Sequence, residues 1–125
     1  MEVNEMLCQF TVKNFKSIRD EVTFDMQAAA ISEHVDRVIK TVDGEIYLPV
    51  SAIYGPNGGG KSNVLEALHS LVTKVLRPLY ATSNNEEIAM KMKKLVIEPF
   101  AFNERARNEA TEFELFFRTV LAEYR

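Results

Sequence analysis

Lys61 and Ser62 place an ammonium and a hydroxyl side by side at the end of GPNGGGKS, residues 55–62. Four of the five glycines fall between residues 55 and 60, and none follows Gly60. The stretch satisfies G-x-x-x-x-G-K-[ST], the phosphate-binding pattern called Walker A. Glycines at Gly55, Gly58, Gly59 and Gly60 let successive amides point into one concavity, a nest for anionic oxygens. A side chain there would obstruct the close approach of phosphate. Gly60, Lys61 and Ser62 open a helix, so its unpaired amides and positive dipole end face the same anion. Lys61 reaches the β- and γ-phosphates as a compact charge, and the Ser62 hydroxyl takes one coordination place on Mg²⁺. A glycine-rich turn between strand and helix can match the pattern by chance, but such a turn has no need of Lys-Ser at its end. The motif therefore points to a nucleotide with Mg²⁺.

Several elements must position that loop. Residues 7–13 alternate, with Cys8, Phe10 and Val12 on one face and Gln9, Thr11 and Lys13 on the other, which predicts a half-buried strand. Val22, Phe24 and Met26 repeat the pattern, and the polar NFKSIRDE between the runs is short enough to join an antiparallel pair. Residues 28–41 suit either a short helical turn or an irregular strand. Asp43-Gly44 is a two-residue hairpin signal joining a strand ending near Val42 to EIYLP, and Pro49 breaks that strand from the next. VSAIY, residues 50–54, is nearly all apolar and predicts a strand buried on both faces.

After the glycines, Val64, Leu65, Leu68, Leu71, Val72, Val75, Leu76 and Leu79 recur at helical spacing and predict a helix from residue 61 to about residue 77. Pro78 is expected to end it. Ser83 with Glu86 predicts a capping box for a second helix through Lys94. LVIEPFAF and TEFELFFRTV read as two further strands, the second alternating Phe113, Leu115 and Phe117. The order predicts an α/β domain with an antiparallel portion.

The chain has 125 residues, the size of one domain, and its 46% hydrophobic and 26% charged composition is ordinary for a soluble globular protein. A net charge of −3 gives no whole-molecule attraction to nucleic acid or an anionic membrane. Cys8 is the only cysteine, so no internal disulfide can form, which fits a reducing cytosol. The acidic, polar start has no secretory character, and no apolar stretch approaches the roughly 20 residues that span a bilayer. The expected location is cytoplasmic. His34 and His69 are lone and have no ligand spacing to Cys8, so the histidines do not suggest a metal site. The basic KMKK, residues 91–94, reads as a solvated helix end.

GPNGGGKSN followed by VLEAL resembles the ABC-type ATPase heads of the RecF and structural-maintenance-of-chromosomes group, in which Asn57 and Asn63 are both typical. The opening FTVKNFKSIRDEVTFD is similar to the first two strands of those heads. IEPFAFNERARNEATEFELFF resembles a segment of bacterial AAA-family ATPases of the OLD and abortive-infection kind. The resemblance implies the N-terminal lobe of a P-loop NTPase of ABC-ATPase type, an incomplete single domain over residues 1–125. It implies that residues 55–63, from Gly55 and Pro56 to Asn63, hold ATP with Mg²⁺. It also implies that Asn14, Lys16 and Ser17 approach the nucleotide. Partners implied are a second ATPase head or the missing C-terminal part, and DNA through the full-length protein. Gly59 departs from the group, which more often has Ser or Ala there.

ABC-type hydrolysis, as the family implies, also needs a Walker B Asp-Glu and a Ser/Gly-rich signature. No Gly-Gly pair follows residue 60. The closest Walker B imitation is LVIE, residues 95–98, with a single carboxylate and Pro99 next. Lys61 and its loop supply only part of what phosphoryl transfer requires, so no catalytic residue set is complete. Two alternatives stay open: a non-hydrolysing, nucleotide-dependent interaction module, and a small P-loop kinase. The kinase fits less well, since some fifty residues precede the loop and Arg105 and Arg107 make a poor lid.

Overall fold

The alternation at the start of the chain becomes strand β1, Glu5–Lys13, with Cys8, Phe10 and Val12 buried. Val22–Asp25 forms β2 beside it. The Met26 amide donates to the Cys8 carbonyl at 2.9 Å, while Gln9 meets Asp25 and Thr11 meets Thr23, so the two strands run antiparallel. The computed structural model describes residues 5–30, 32–82, 97–119 and 123–124. Its four-stranded sheet has the order β2-β1-β5-β6, where β5 is Glu112–Thr119 and β6 is Glu123–Tyr124. β5 and β6 are antiparallel, with Phe117 opposite Tyr124. With the helices below, this is a small α/β fold with antiparallel strands, as its pattern predicts.

The chain divides into two compact units. The first contains most of the sheet and a short hairpin of β3, Ile39–Lys40, and β4, Ile46–Tyr47. Its core joins Cys8, Met26, Ile39 and Tyr47, with Met6, Phe24, Leu48 and Phe116 packed against them. The hairpin differs from the two-residue turn that Asp43-Gly44 predicts. Thr41 donates to the Glu45 carbonyl at 2.9 Å, so three residues form the loop, and Gly44 alone takes a positive φ, +90°. A type I turn closed by a left-handed glycine meets the strand twist as well as a type I′ turn does. Arg118 grips the loop from β5 with a two-pronged ion pair to Asp43, both contacts at 2.7 Å.

The second unit holds residues 12–21 and 56–113. Its long helix α1, Lys61–Thr82, carries the predicted apolar periodicity, and Ala67 is fully buried. The helix continues one turn beyond Pro78. A proline removes one backbone hydrogen bond and disfavours helix in the residue before it, yet the later residues keep their own bonds. A second helix, α2, Glu104–Asn108, has no counterpart among the predicted elements; Asn103 caps it, its side chain accepting from the Ala106 amide.

Among the described residues, two predicted strands are absent. Residues 50–54 form no strand, and Val50 and Tyr54 are 76% and 91% exposed. Apolar composition reports a preference for burial, but a strand exists only where a neighbour takes its hydrogen bonds, and no described strand pairs there. Ile97 to Phe102 of LVIEPFAF is likewise irregular, because its backbone groups serve another partner. The Glu98 carbonyl accepts from the Lys16 amide at 2.8 Å, and the Phe100 amide donates to Asn14 Oδ1 at 3.0 Å. Leu95, Val96, the capping box of Ser83 and Glu86, its helix and KMKK lie outside the described residues. In β5 the core-facing phase also differs: Phe116 joins the core, while Phe117 is 37% exposed.

Candidate phosphate-binding site

The site begins with the glycine loop. Residues 56–60 turn on themselves, and the Gly59 amide donates to the Pro56 carbonyl at 3.1 Å. At Gly59 a Cβ would lie 3.0 Å from that carbonyl oxygen, so the tight turn depends on its absence. Gly60 is constrained twice. Its φ is +86°, a left-handed value that side chains disfavour, and a Cβ there would come within 3.0 Å of Ser17 Oγ. Helix α1 starts at the next residue, and the Asn63 amide closes its first turn onto the Gly60 carbonyl at 3.0 Å.

Around this backbone Ser17, Asn57, Gly58, Gly59, Gly60, Lys61, Ser62 and Asn63 line a cavity of about 310 Å³. The Lys61 ammonium is braced across the loop by donating to the Pro56 carbonyl at 2.8 Å, which fixes its charge at the cavity. A cavity lined by glycine backbone, a helix N-terminus, one ammonium and two hydroxyls is complementary to phosphate oxygens. The cradle that a Cβ at Gly59 or Gly60 would fill agrees with a ligand that must approach the backbone closely.

Of the three upstream residues expected near the ligand, the structure brings Ser17 to the cavity. Phe15 and Ile18 exchange both backbone hydrogen bonds at 2.8 Å, leaving Lys16 and Ser17 at the tip of a tight turn. Lys16 has a φ of +49°, a position glycine usually takes, and its side chain reaches α1 rather than the cavity lining. There its ammonium meets Glu66 at 2.5 Å. Asn14 works elsewhere. Its side chain is 1% exposed and donates to the carbonyls of Ala106 at 2.7 Å and Glu109 at 3.0 Å. Thr111 donates its hydroxyl to the Asn14 carbonyl at 2.6 Å, and Phe15 packs edge-on against Phe113. Asn14 therefore secures the base of the turn whose tip presents Ser17. Gly55 and Pro56 lie outside the cavity lining, Pro56 contributing through its carbonyl.

Glu66 was not predicted as part of the site. Its signal is in the spacing, because Asn63 and Glu66 are three residues apart and so share one face of α1. Asn63 donates to Ser17 Oγ at 2.6 Å, and Glu66 holds Lys16. Among the described residues no three His, Cys, Asp or Glu side chains group as a metal site. No helix among them is long and apolar enough to cross a membrane.

Comparison with known proteins reaches the level of family. No curated protein and no solved structure gives a significant match. A family model described as an AAA domain matches residues 9–124, which takes in the turn, the glycine loop, α1 and β5. The chain belongs to this AAA-domain family of P-loop ATPases.

Proposed function

We propose that the glycine loop is a Walker A loop and that the chain binds ATP with Mg²⁺ as the N-terminal segment of an ABC-type ATPase head. The observation that carries the reading is the cavity formed by Asn57 to Asn63 and Ser17, with the Lys61 ammonium braced at its edge. The backbone of Gly58 and Gly60 and the start of α1 supply amides for the phosphates, while the Gly59 amide closes the loop onto Pro56. Lys61 supplies positive charge to the terminal phosphates, and Ser62 supplies a hydroxyl oxygen for Mg²⁺. When bound, Mg²⁺ neutralises phosphate charge. Gly55 and Pro56 shape the entry to the loop, and Lys16 and Ser17 border it from the turn.

Hydrolysis needs groups that these residues do not supply, so the proposed activity is binding. Val50 and Tyr54, exposed immediately before the loop, favour a second reading as a nucleotide-dependent interaction module. In that reading a covering polypeptide, a second head or a further part of the same protein, brings the remaining catalytic groups. A cytoplasmic role in DNA maintenance or phage defence rests on the resemblance of GPNGGGKSN and the opening strands alone.

Isothermal titration of ATP with Mg²⁺ tests the reading. Binding to the native chain and its loss in Lys61→Ala, with an unchanged melting temperature, is the expected result. Equal affinity in both forms overturns it.

A further inference from the structure

Ser17 Oγ borders the cavity and already accepts one hydrogen bond, from Asn63 Nδ2 at 2.6 Å. A serine hydroxyl has one proton and two lone pairs. Once the Asn63 amide occupies a lone pair, the hydroxyl proton is turned away from Asn63. Ser17 and Asn63 both line the cavity formed by the glycine loop, so a hydroxyl proton turned from Asn63 is available to an anion within it. Asn63 is itself fixed, because its backbone amide closes the first turn of α1 onto Gly60. The absence of a Cβ at Gly60 is what lets Ser17 Oγ come so near, since that atom would stand 3.0 Å away.

Resting on the phosphate-binding reading of the loop, we propose that Asn63 is a positioning residue for Ser17. Its amide holds the Ser17 hydroxyl as a donor aimed at a phosphate oxygen in the cavity. A residue 46 positions upstream thereby adds a donor to those of the loop. On the same helix face Glu66 meets Lys16, the neighbour of Ser17, but the hold on the Ser17 hydroxyl is that of Asn63 alone. The positive φ of Lys16 shows a tip kept in a conformation that costs energy, as expected where the surroundings over-determine a functional turn. A donor fixed in advance needs no reorganisation when the anion arrives.

The test is a double-mutant cycle on ATP–Mg²⁺ affinity, using Ser17→Ala, Asn63→Ala and the double variant, with thermal melting alongside. Phosphorus NMR of the bound nucleotide reads the hydrogen bond directly. Each single variant is expected to weaken binding by about ten- to a hundredfold, the worth of one hydrogen bond to a charged group. The double variant should bind no more weakly than Ser17→Ala alone, and both single variants should displace the same phosphorus resonance. Asn63→Leu, which keeps the shape and lacks the donor, repeats the measurement should Asn63→Ala melt early. Losses that multiply in the double variant, or an Asn63 variant with native affinity and resonance, overturn the proposal. A native chain that binds no ATP–Mg²⁺ overturns the phosphate-binding reading itself, and this inference with it.

Discussion

Lys16 and Glu66 stand 2.5 Å apart, joining the tip of the first turn to the second turn of α1. Their side chains are 28% and 48% exposed, and a pair so open to solvent contributes about 1 kcal/mol or less to stability. Its position matters more than its strength, because Glu66 shares a helix face with Asn63 beside the glycine-loop cavity. Glu66→Gln removes a negative charge close to a polyanion site and releases Lys16 from its partner. Nucleotide affinity should rise by about two- to fivefold at low salt, and the gain should shrink as ionic strength increases. Titration calorimetry at two salt concentrations checks both signs.

Asn14 carries the opposite balance, being almost wholly buried and structurally expensive to lose. Its amide satisfies two carbonyls near α2 and its oxygen satisfies the Phe100 amide. Asn14→Ala strands those groups at about 1–3 kcal/mol for an unsatisfied polar group, and alanine tolerates the φ of +54° poorly. We expect a loss of about 3 kcal/mol or more in denaturant unfolding, with nucleotide affinity falling only in proportion to the unfolded fraction. A drop in affinity without a drop in stability would instead return Asn14 to direct ligand contact.

The Asp43–Arg118 pair predicts an acid-sensitive hairpin. Hydrogen bonding to the Arg118 guanidinium, assisted by the Thr41 hydroxyl, holds the Asp43 carboxyl well below the usual carboxylate range. A depressed folded-state pKa contributes stability above the unfolded value, near 3.8, and that contribution is lost as pH falls towards the folded value. The native chain should therefore melt higher than Asp43→Asn by a constant margin at neutral pH. Below about pH 4 the margin should narrow, which thermal melts across a pH series would show.

The backbone geometry of the glycine loop was legible because it is local. Spacing alone places Lys61 and Ser62 at a helix start, and the glycine pattern requires a tight loop, both of which the backbone shows. The alternation of Cys8, Phe10 and Val12 is equally local, and it gives β1 with its buried face. What escaped was decided by distant partners. VSAIY has strand composition but no described neighbour to pair with, and Ile97–Phe102 gives its backbone bonds to Asn14 and Lys16. Nothing near Asn14 in the sequence signals carbonyls more than 90 positions away, at Ala106 and Glu109. The Lys16–Glu66 pair is of the same kind, since helical periodicity fixes the face of Glu66 but not what lies against it.

Gly60 is where backbone and side-chain constraints coincide, so its substitution separates folding from binding. An alanine must adopt a φ of +86° and push against Ser17 Oγ, which would lie 3.0 Å from the new methyl. The left-handed conformation alone costs about 1–2 kcal/mol. Two responses can relieve the strain. The loop can rotate Gly60 towards negative φ, which misdirects the amides at the start of α1, or Ser17 can retreat, which breaks its bond from Asn63. Either response damages the cavity. Gly60→Ala should therefore lower stability by about 1–2 kcal/mol and weaken ATP–Mg²⁺ binding more than tenfold. Gly44→Ala faces a similar φ of +90° with open space around its Cβ, and lies in the other compact unit. It should cost comparable stability and leave affinity unchanged, so the pair of variants, compared by melting and titration, isolates the contribution of the loop's geometry.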